Sequence, residues 1–121
     1  MQTDTFKDKV VIVTGGANGI GRCIADEFRK QGAVVYVIDK QEGEHFVGDI
    51  SKQDVLEAFA SDVLSKHNKV DIIVNNALPL MRGIDECSYD EFQYALSVGV
   101  TAPFYLVKLL KNHLAEGASI I

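Results

Sequence analysis

Residues 14–21 read Thr14-Gly15-Gly16-Ala17-Asn18-Gly19-Ile20-Gly21, a glycine-rich turn between a strand-like and a helix-like segment. Before it stands Lys9-Val10-Val11-Ile12-Val13-Thr14, a short β-branched run of the kind used by buried parallel strands. After it, from about Ile20 to Gln31, Ile20, Cys23, Ile24 and Phe28 recur at helical spacing while Asp26, Glu27, Arg29 and Lys30 fall elsewhere. Gly32 closes that helix as a C-cap. Glycines between a strand and a helix let an anion reach the helix N-terminus, where unpaired N–H groups and the helix dipole attract it. A Cβ at the turn holds the anion away. Gly19 is therefore expected to exclude side chains for the sake of the ligand rather than of stability. No Gly-Lys-Ser/Thr follows the glycines, so the loop is not of the Walker type.

Val34 to Ile38 reads as a second strand that closes on Asp39, eighteen positions after Gly21. A carboxylate there can accept both hydroxyls of an adenosine ribose, and together with the glycines it points to a dinucleotide. His45 to Val47 reads as a short third strand. Lys40 to Glu44 is too short for a helical crossover, which needs about a dozen residues. Either a loop makes that crossing or the third strand lies elsewhere. Ser51 with Asp54 resembles a capping box before a helix carrying Val55, Phe59 and Val63. Val70 to Asn75 is a fourth strand. A loop with Pro79 and Gly83 leads to the Ser88 and Glu91 capping box and a long helix with Phe92, Leu96, Leu106 and Leu110 directed inward. Gly117 precedes a fifth, buried strand, so the chain reads as incomplete at its C-terminus. Strands alternating with helices predict an α/β fold: a Rossmann-type doubly wound parallel sheet in three α/β/α layers, with residues 1–121 forming one partial nucleotide-binding domain.

Asp49-Ile50 follows the third strand and Asn75-Asn76-Ala77 the fourth, both on the carboxyl edge where open α/β sheets bind ligands. An amide at that edge can tie two loops together while meeting a cofactor. Asp85, Glu86, Asp90 and Glu91 flank a helix start, which the dipole explains without catalysis. His45, His67 and His113 have no metal-ligand spacing with one another or with the cysteines, so no metal site is expected.

These motifs, in this order, resemble the short-chain dehydrogenase/reductase (SDR) family over essentially the whole chain. The loop Thr14 to Gly21, Asp39, the Asp49-Ile50 pair, the Asn75-Asn76-Ala77 triplet and the helix segment Ser97 to Phe104 all match family motifs. The resemblance implies that Gly15, Asn18, Gly19, Ile20 and Gly21 meet a pyrophosphate, that Asp39 holds the adenine ribose, and that Asp49 and Ile50 meet the adenine. It implies that Asn75, Ala77 and Val98 meet the middle of the cofactor. Two positions depart from the family. Leu78 stands where the family has glycine, so its side chain must point away from the cofactor or the loop must shift. Gly99 stands where the family has a catalytic Asn; the family's Ser, Tyr and Lys fall beyond residue 121, so no catalytic residue is expected within the chain. The water-holding part of that Asn's role is expected to pass to the Gly99 carbonyl, since Pro103 has no N–H to donate to it; the alternative is that Gly99 merely permits close helix packing.

The implied function is an oxidoreductase moving a hydride between NAD(H) and a small alcohol or carbonyl. The alternatives are a non-catalytic, redox-responsive NAD-binding module and a nucleotide-cofactor methyltransferase, the latter disfavoured by the glycine spacing and by Asn75-Asn76. Asp39 and Asn18 favour NAD over NADP, while Lys40, counted with the cofactor residues, could soften that preference. The resemblance implies a homodimer or homotetramer joined through long helices.

Composition sets the limits. The 121 residues are 47% hydrophobic and 24% charged, with a formal net charge of -5. That is globular, and it disfavours nucleic-acid partners. No apolar run approaches the roughly 20 residues of a membrane helix, and the start at Met1-Gln2-Thr3-Asp4 resembles no signal peptide. Cys23 and Cys87 form no CxxC and read as buried packing residues of a cytoplasmic protein.

Overall fold

The computed structural model describes residues 4–121. The expected domain boundary at residue 1, and most of the N-terminal stretch read for a leader, lie on Met1–Thr3, outside the described residues. Five strands, β1 (Val10–Thr14), β2 (Val34–Asp39), β3 (Phe46–Val47), β4 (Val70–Asn75) and β5 (Leu114–Ile120), form one parallel sheet in the order β3-β2-β1-β4-β5. The helices are α1 (Gly19–Lys30), α2 (Gln53–Leu64), α3 (Tyr89–Leu96) and α4 (Ala102–Leu110). This is the Rossmann-type arrangement, wound in both directions from β1.

The two faces of the sheet are packed differently. On one, Val10, Ile12, Ile38 and Ile73 form a core with Leu56, Phe59 and Val63 of α2 and Leu106 and Leu110 of α4. Tyr105 of α4 donates to Glu57 at 2.6 Å and accepts from Gln53 at 3.0 Å, tying it to α2. On the other, Val11, Val13, Val37 and Val74 meet α1. The buried α1 residues are Gly21 and Ala25, with Ile24 and Phe28 half-buried beside them. Ile20 and Cys23, expected inside, are exposed, Ile20 by 76%. The cause is proximity: a Cβ on Gly21 would stand 2.3 Å from the Gly15 carbonyl oxygen. Helix and loop approach too closely for a large side chain, so the small residues face inward. Cys87 is half-buried, so neither cysteine is the buried packing residue expected. α1 ends through Gly32 as expected, with Gly32 N–H bonded to Arg29 and Ala33 N–H to Phe28.

A loop, not a helix, joins β2 to β3. It is so short that β3 reaches only the carboxyl end of β2, pairing Ile38 with Phe46 and Asp39 with Val47. The rest of β2 is an edge, where Lys66 lies 5.8 Å over the Tyr36 ring and His67 Nε2 lies 2.8 Å from the Tyr36 hydroxyl. Charge at an edge strand discourages pairing with other chains. The Ser51–Asp54 capping box does not form: α2 starts at Gln53, Lys52 is its N-cap, and the Asp54 carboxylate accepts from Val55 N–H. Ser88 does cap α3, accepting from Glu91 N–H at 3.0 Å.

The long helix is interrupted. Between α3 and α4, Ser97–Thr101 form a π-helical turn in which Ala102 N–H donates to the Ser97 carbonyl, five residues back. Pro103 follows directly; it has no N–H and its ring crowds the preceding turn, a recognised cause of such widening. The wide turn adds one residue and so shifts the helix phase by roughly 100°. That explains a misplaced face. Leu106 and Leu110 are buried as expected, but Phe92 and Leu96 are 50% and 40% exposed. They join Tyr89, Val100 and Phe104 in an exposed apolar stripe.

β5 also differs from expectation. It begins at Leu114, ahead of Gly117 rather than after it, contains Gly117 within a register shift against β4, and among the described residues pairs with β4 alone. Among the described residues no helix is long and apolar enough to cross a membrane.

Gly99 is exposed, and nothing lies within 4 Å of where its Cβ would stand. Close packing within this chain does not require glycine there. Gly99→Ala is expected to stabilise the fold by roughly 0.5–1 kcal/mol in urea titration, by removing glycine's backbone entropy. Gly21→Ala is expected to destabilise it by about 1–3 kcal/mol or more in the same measurement, through overpacking.

Candidate functional site

β1 delivers Thr14 to the carboxyl edge of the sheet, where the residue is 3% exposed. Its Oγ1 accepts from the N–H groups of Asn76 and Ala77, both at 3.1 Å. In return the Asn76 amide donates to the carbonyls of Thr14 at 3.2 Å and Gly15 at 3.1 Å. Four bonds thus tie the glycine loop to the loop after β4. Asn76 is the amide that performs the tying expected of the paired asparagines. Its neighbour Asn75 ends β4 and lies off the cleft, with its N–H donating to Ile121 and its Oδ1 buried without a partner.

Beside this tie opens a cleft of about 680 Å³. Gly15, Asn18, Gly19, Ile20 and Gly21 form its floor at the start of α1. Gly19 has φ 57° and open space where a Cβ would point. The open space fits the approach of a ligand. The positive φ corrects the expectation that stability plays no part, because a β-branched residue is strained in that conformation.

Asp39 and Lys40 line one wall. The Asp39 carboxylate accepts from Ala17 N–H with Oδ2 and from Gln41 N–H with Oδ1, each at 3.0 Å. It is fixed by the glycine loop on one side and its own turn on the other, and each oxygen keeps a further lone pair. The Asn18 amide donates to Gln41 Oε1 at 2.8 Å, spanning the gap between the two loops. Gln41 lines the cleft and escaped the sequence reading, because a glutamine in a short loop carries no distinguishing pattern.

Asp49, Ile50, Val98 and Tyr94 also line the cleft. The Tyr94 hydroxyl lies 3.1 Å from both carboxylate oxygens of Asp49, and Asp49 Oδ1 also accepts from Ser51 N–H at 2.9 Å. Burial works to raise the Asp49 pKa, but the bonds from Ser51 and Tyr94 and the charge of Lys40 outweigh it, holding the carboxyl below its ordinary range. Burial, and then the bond to Asp49, push the Tyr94 phenol up. At neutral pH the tyrosine is the donor and the aspartate the acceptor. Lys40 Nζ sits 5.6 Å from the centre of the Tyr94 ring.

Ala77 borders the cleft, with its Cα 2.9 Å from a Cβ built on Gly15. Leu78 borders it too, yet is 86% exposed. The histidines lie elsewhere, and among the described residues no group of three or more His, Cys, Asp or Glu is placed to hold a metal ion.

Asn76→Ala is expected to cost about 1–3 kcal/mol in urea titration, because two carbonyls at the tie lose their donor.

The sequence profile of the short chain dehydrogenase family matches residues 9–121. The L-fucose dehydrogenase of Mus musculus is 34% identical over 125 residues, covering 92% of this chain and 46% of that protein. A 3-ketoacyl-(acyl-carrier-protein) reductase from Brucella melitensis complexed with NADH has TM-score 0.81 and 29% identity, covering 90% of this chain and 51% of that one. A metagenomic short-chain oxidoreductase in complex with NADP has TM-score 0.79 and 26% identity, covering 89% and 56%. The chain spans about half the length of the relatives it matches. By its matched motifs and its fold, the chain belongs to the short-chain dehydrogenase family.

Proposed function

We propose that this chain is the NAD(H)-binding part of an oxidoreductase acting on a small alcohol or carbonyl compound. The observation that carries the reading is Asp39, a carboxylate fixed by two backbone N–H groups on the wall of a cleft whose floor is the N-terminus of α1. The residues fit a dinucleotide. Gly15, Asn18, Gly19, Ile20 and Gly21 would take the pyrophosphate, Asp39 the ribose, Asp49 and Ile50 the base, and Asn75, Ala77 and Val98 the middle of the cofactor. Asn75 enters this set from the family resemblance alone, since it lies off the cleft. When bound, the nicotinamide accepts or donates a hydride, for which an alcohol or a carbonyl is the matching substrate. The chain's own residues hold and orient; proton transfer is assigned to none of them.

The preference for NAD over NADP rests on charge. A 2′-phosphate beside Asp39 meets a fixed negative group. The nearest added cation, Lys40, is drawn toward Tyr94 and Asp49. The neighbours carrying NADH and NADP show that the family accommodates both, so these side chains must decide. The apolar stripe of Tyr89, Phe92, Leu96, Val100 and Phe104 supports self-association into a dimer or tetramer through the long helix. Two free thiols fit a reducing compartment, and the cytoplasm is the proposed location.

In titrations of the intact protein, NADH is expected to bind more tightly than NADPH, and Asp39→Ala to weaken NADH by about 1.5–3 kcal/mol. Equal or tighter NADPH binding by the unmodified protein overturns the cofactor assignment. Binding without turnover of any alcohol or carbonyl by the intact protein favours a redox-responsive module instead.

A further inference from the structure

Tyr94 belongs to none of the motifs that place the chain in its family, yet it makes a two-centred contact inside the cleft. It reaches from α3 to a residue 45 positions earlier and meets both oxygens of the Asp49 carboxylate at 3.1 Å. A carboxylate offers about four lone-pair directions. The single Tyr94 hydroxyl proton is shared between the two oxygens, and Ser51 N–H bonds to Oδ1 at 2.9 Å. Acceptor capacity remains on the carboxylate, in a cleft whose other parts suit ribose and pyrophosphate.

We infer that Tyr94 is a positioning residue for base selection: by clamping Asp49, it holds the carboxylate oriented to accept the exocyclic amine of an adenine and to repel the carbonyl of a 6-oxopurine. The inference rests on the dinucleotide reading above and adds to it a residue and a selectivity. Protonation states agree with it, since Asp49 is held ionised and Tyr94 is held as the phenol. Without the hydroxyl, Asp49 keeps Ser51 but can rotate, and the orientation of its acceptor oxygens is lost. A tyrosine that only braced α3 against the segment after β3 would affect every dinucleotide alike, whatever its base.

The test uses the intact protein and two probes of equal charge, NADH and reduced nicotinamide hypoxanthine dinucleotide, in which a carbonyl replaces the amine. Wild type is expected to prefer NADH by about tenfold or more, the scale of one hydrogen bond to a charged group. Tyr94→Phe retains the ring under Lys40 and is expected to cut that preference by about threefold or more. In an Asp49→Asn background the same change should leave the ratio unaltered, because the clamped group is already gone. Equal losses of both dinucleotides in Tyr94→Phe, with the ratio kept, make Tyr94 a packing tie and overturn the inference. So does a wild type that binds both probes equally. Failure of wild type to bind NADH at all defeats the dinucleotide reading itself, and the inference with it.

Discussion

The site depends on the knot between Thr14 and Asn76. β1 and β4 are neighbours in the sheet, but the chain leaves their carboxyl ends for opposite sides, and a crevice opens between the departing loops. Such a crevice accommodates ligands because the backbone there is free of sheet pairing. For the same reason it would be loose. The buried Thr14 hydroxyl and the Asn76 amide close its base with four hydrogen bonds that no strand could supply. The glycine loop is then held from below by Asn76 and from the side by Asp39, leaving its upper surface and Gly19 open.

Close approach is the second constraint, and it follows from the first. With the loop pinned to the sheet, α1 begins almost on top of it, and Gly21 and Ala25 are the residues that fit beneath. The α1 side of the sheet is consequently thin, built from valines and small helix residues. The opposite side holds Phe59, Leu106 and Leu110 between two helices and the sheet. The larger core therefore supports β1 and β4 from the face away from α1.

The sequence made the sheet legible because its strands are unbroken apolar runs and its ligand edge is marked by glycine, aspartate and asparagine. β4 fell on its observed bounds, and β1 and β2 within a residue. Faces were harder to read than elements. Periodicity assumes that the largest apolar residues point inward, which fails at α1, where space is short, and at α3, which a π turn puts out of phase with α4. The fifth strand was placed late because Gly117 looks like a turn, whereas it lies inside a strand that has shifted register. In the cleft, residues belonging to a spaced motif could be found. Gln41 and Tyr94 could not, since each acquires its role from a partner brought near only by folding, Asn18 in one case and Asp49 in the other.

The π turn before Pro103 makes the long helix sensitive to residue number in a way an unbroken helix is not. Upstream, α3 presents Tyr94 to the cleft; downstream, α4 presents Leu106 and Leu110 to the core, and the rotation between them is set by one extra residue. Deleting any single residue from 97–101 would restore regular winding and turn one half against the other by about a quarter of a revolution. Tyr94 would leave Asp49, or the leucines would leave the sheet. The segment can thus change its side chains, as glycine at position 99 illustrates, while its length is fixed by the need to serve a ligand at one end and a core at the other.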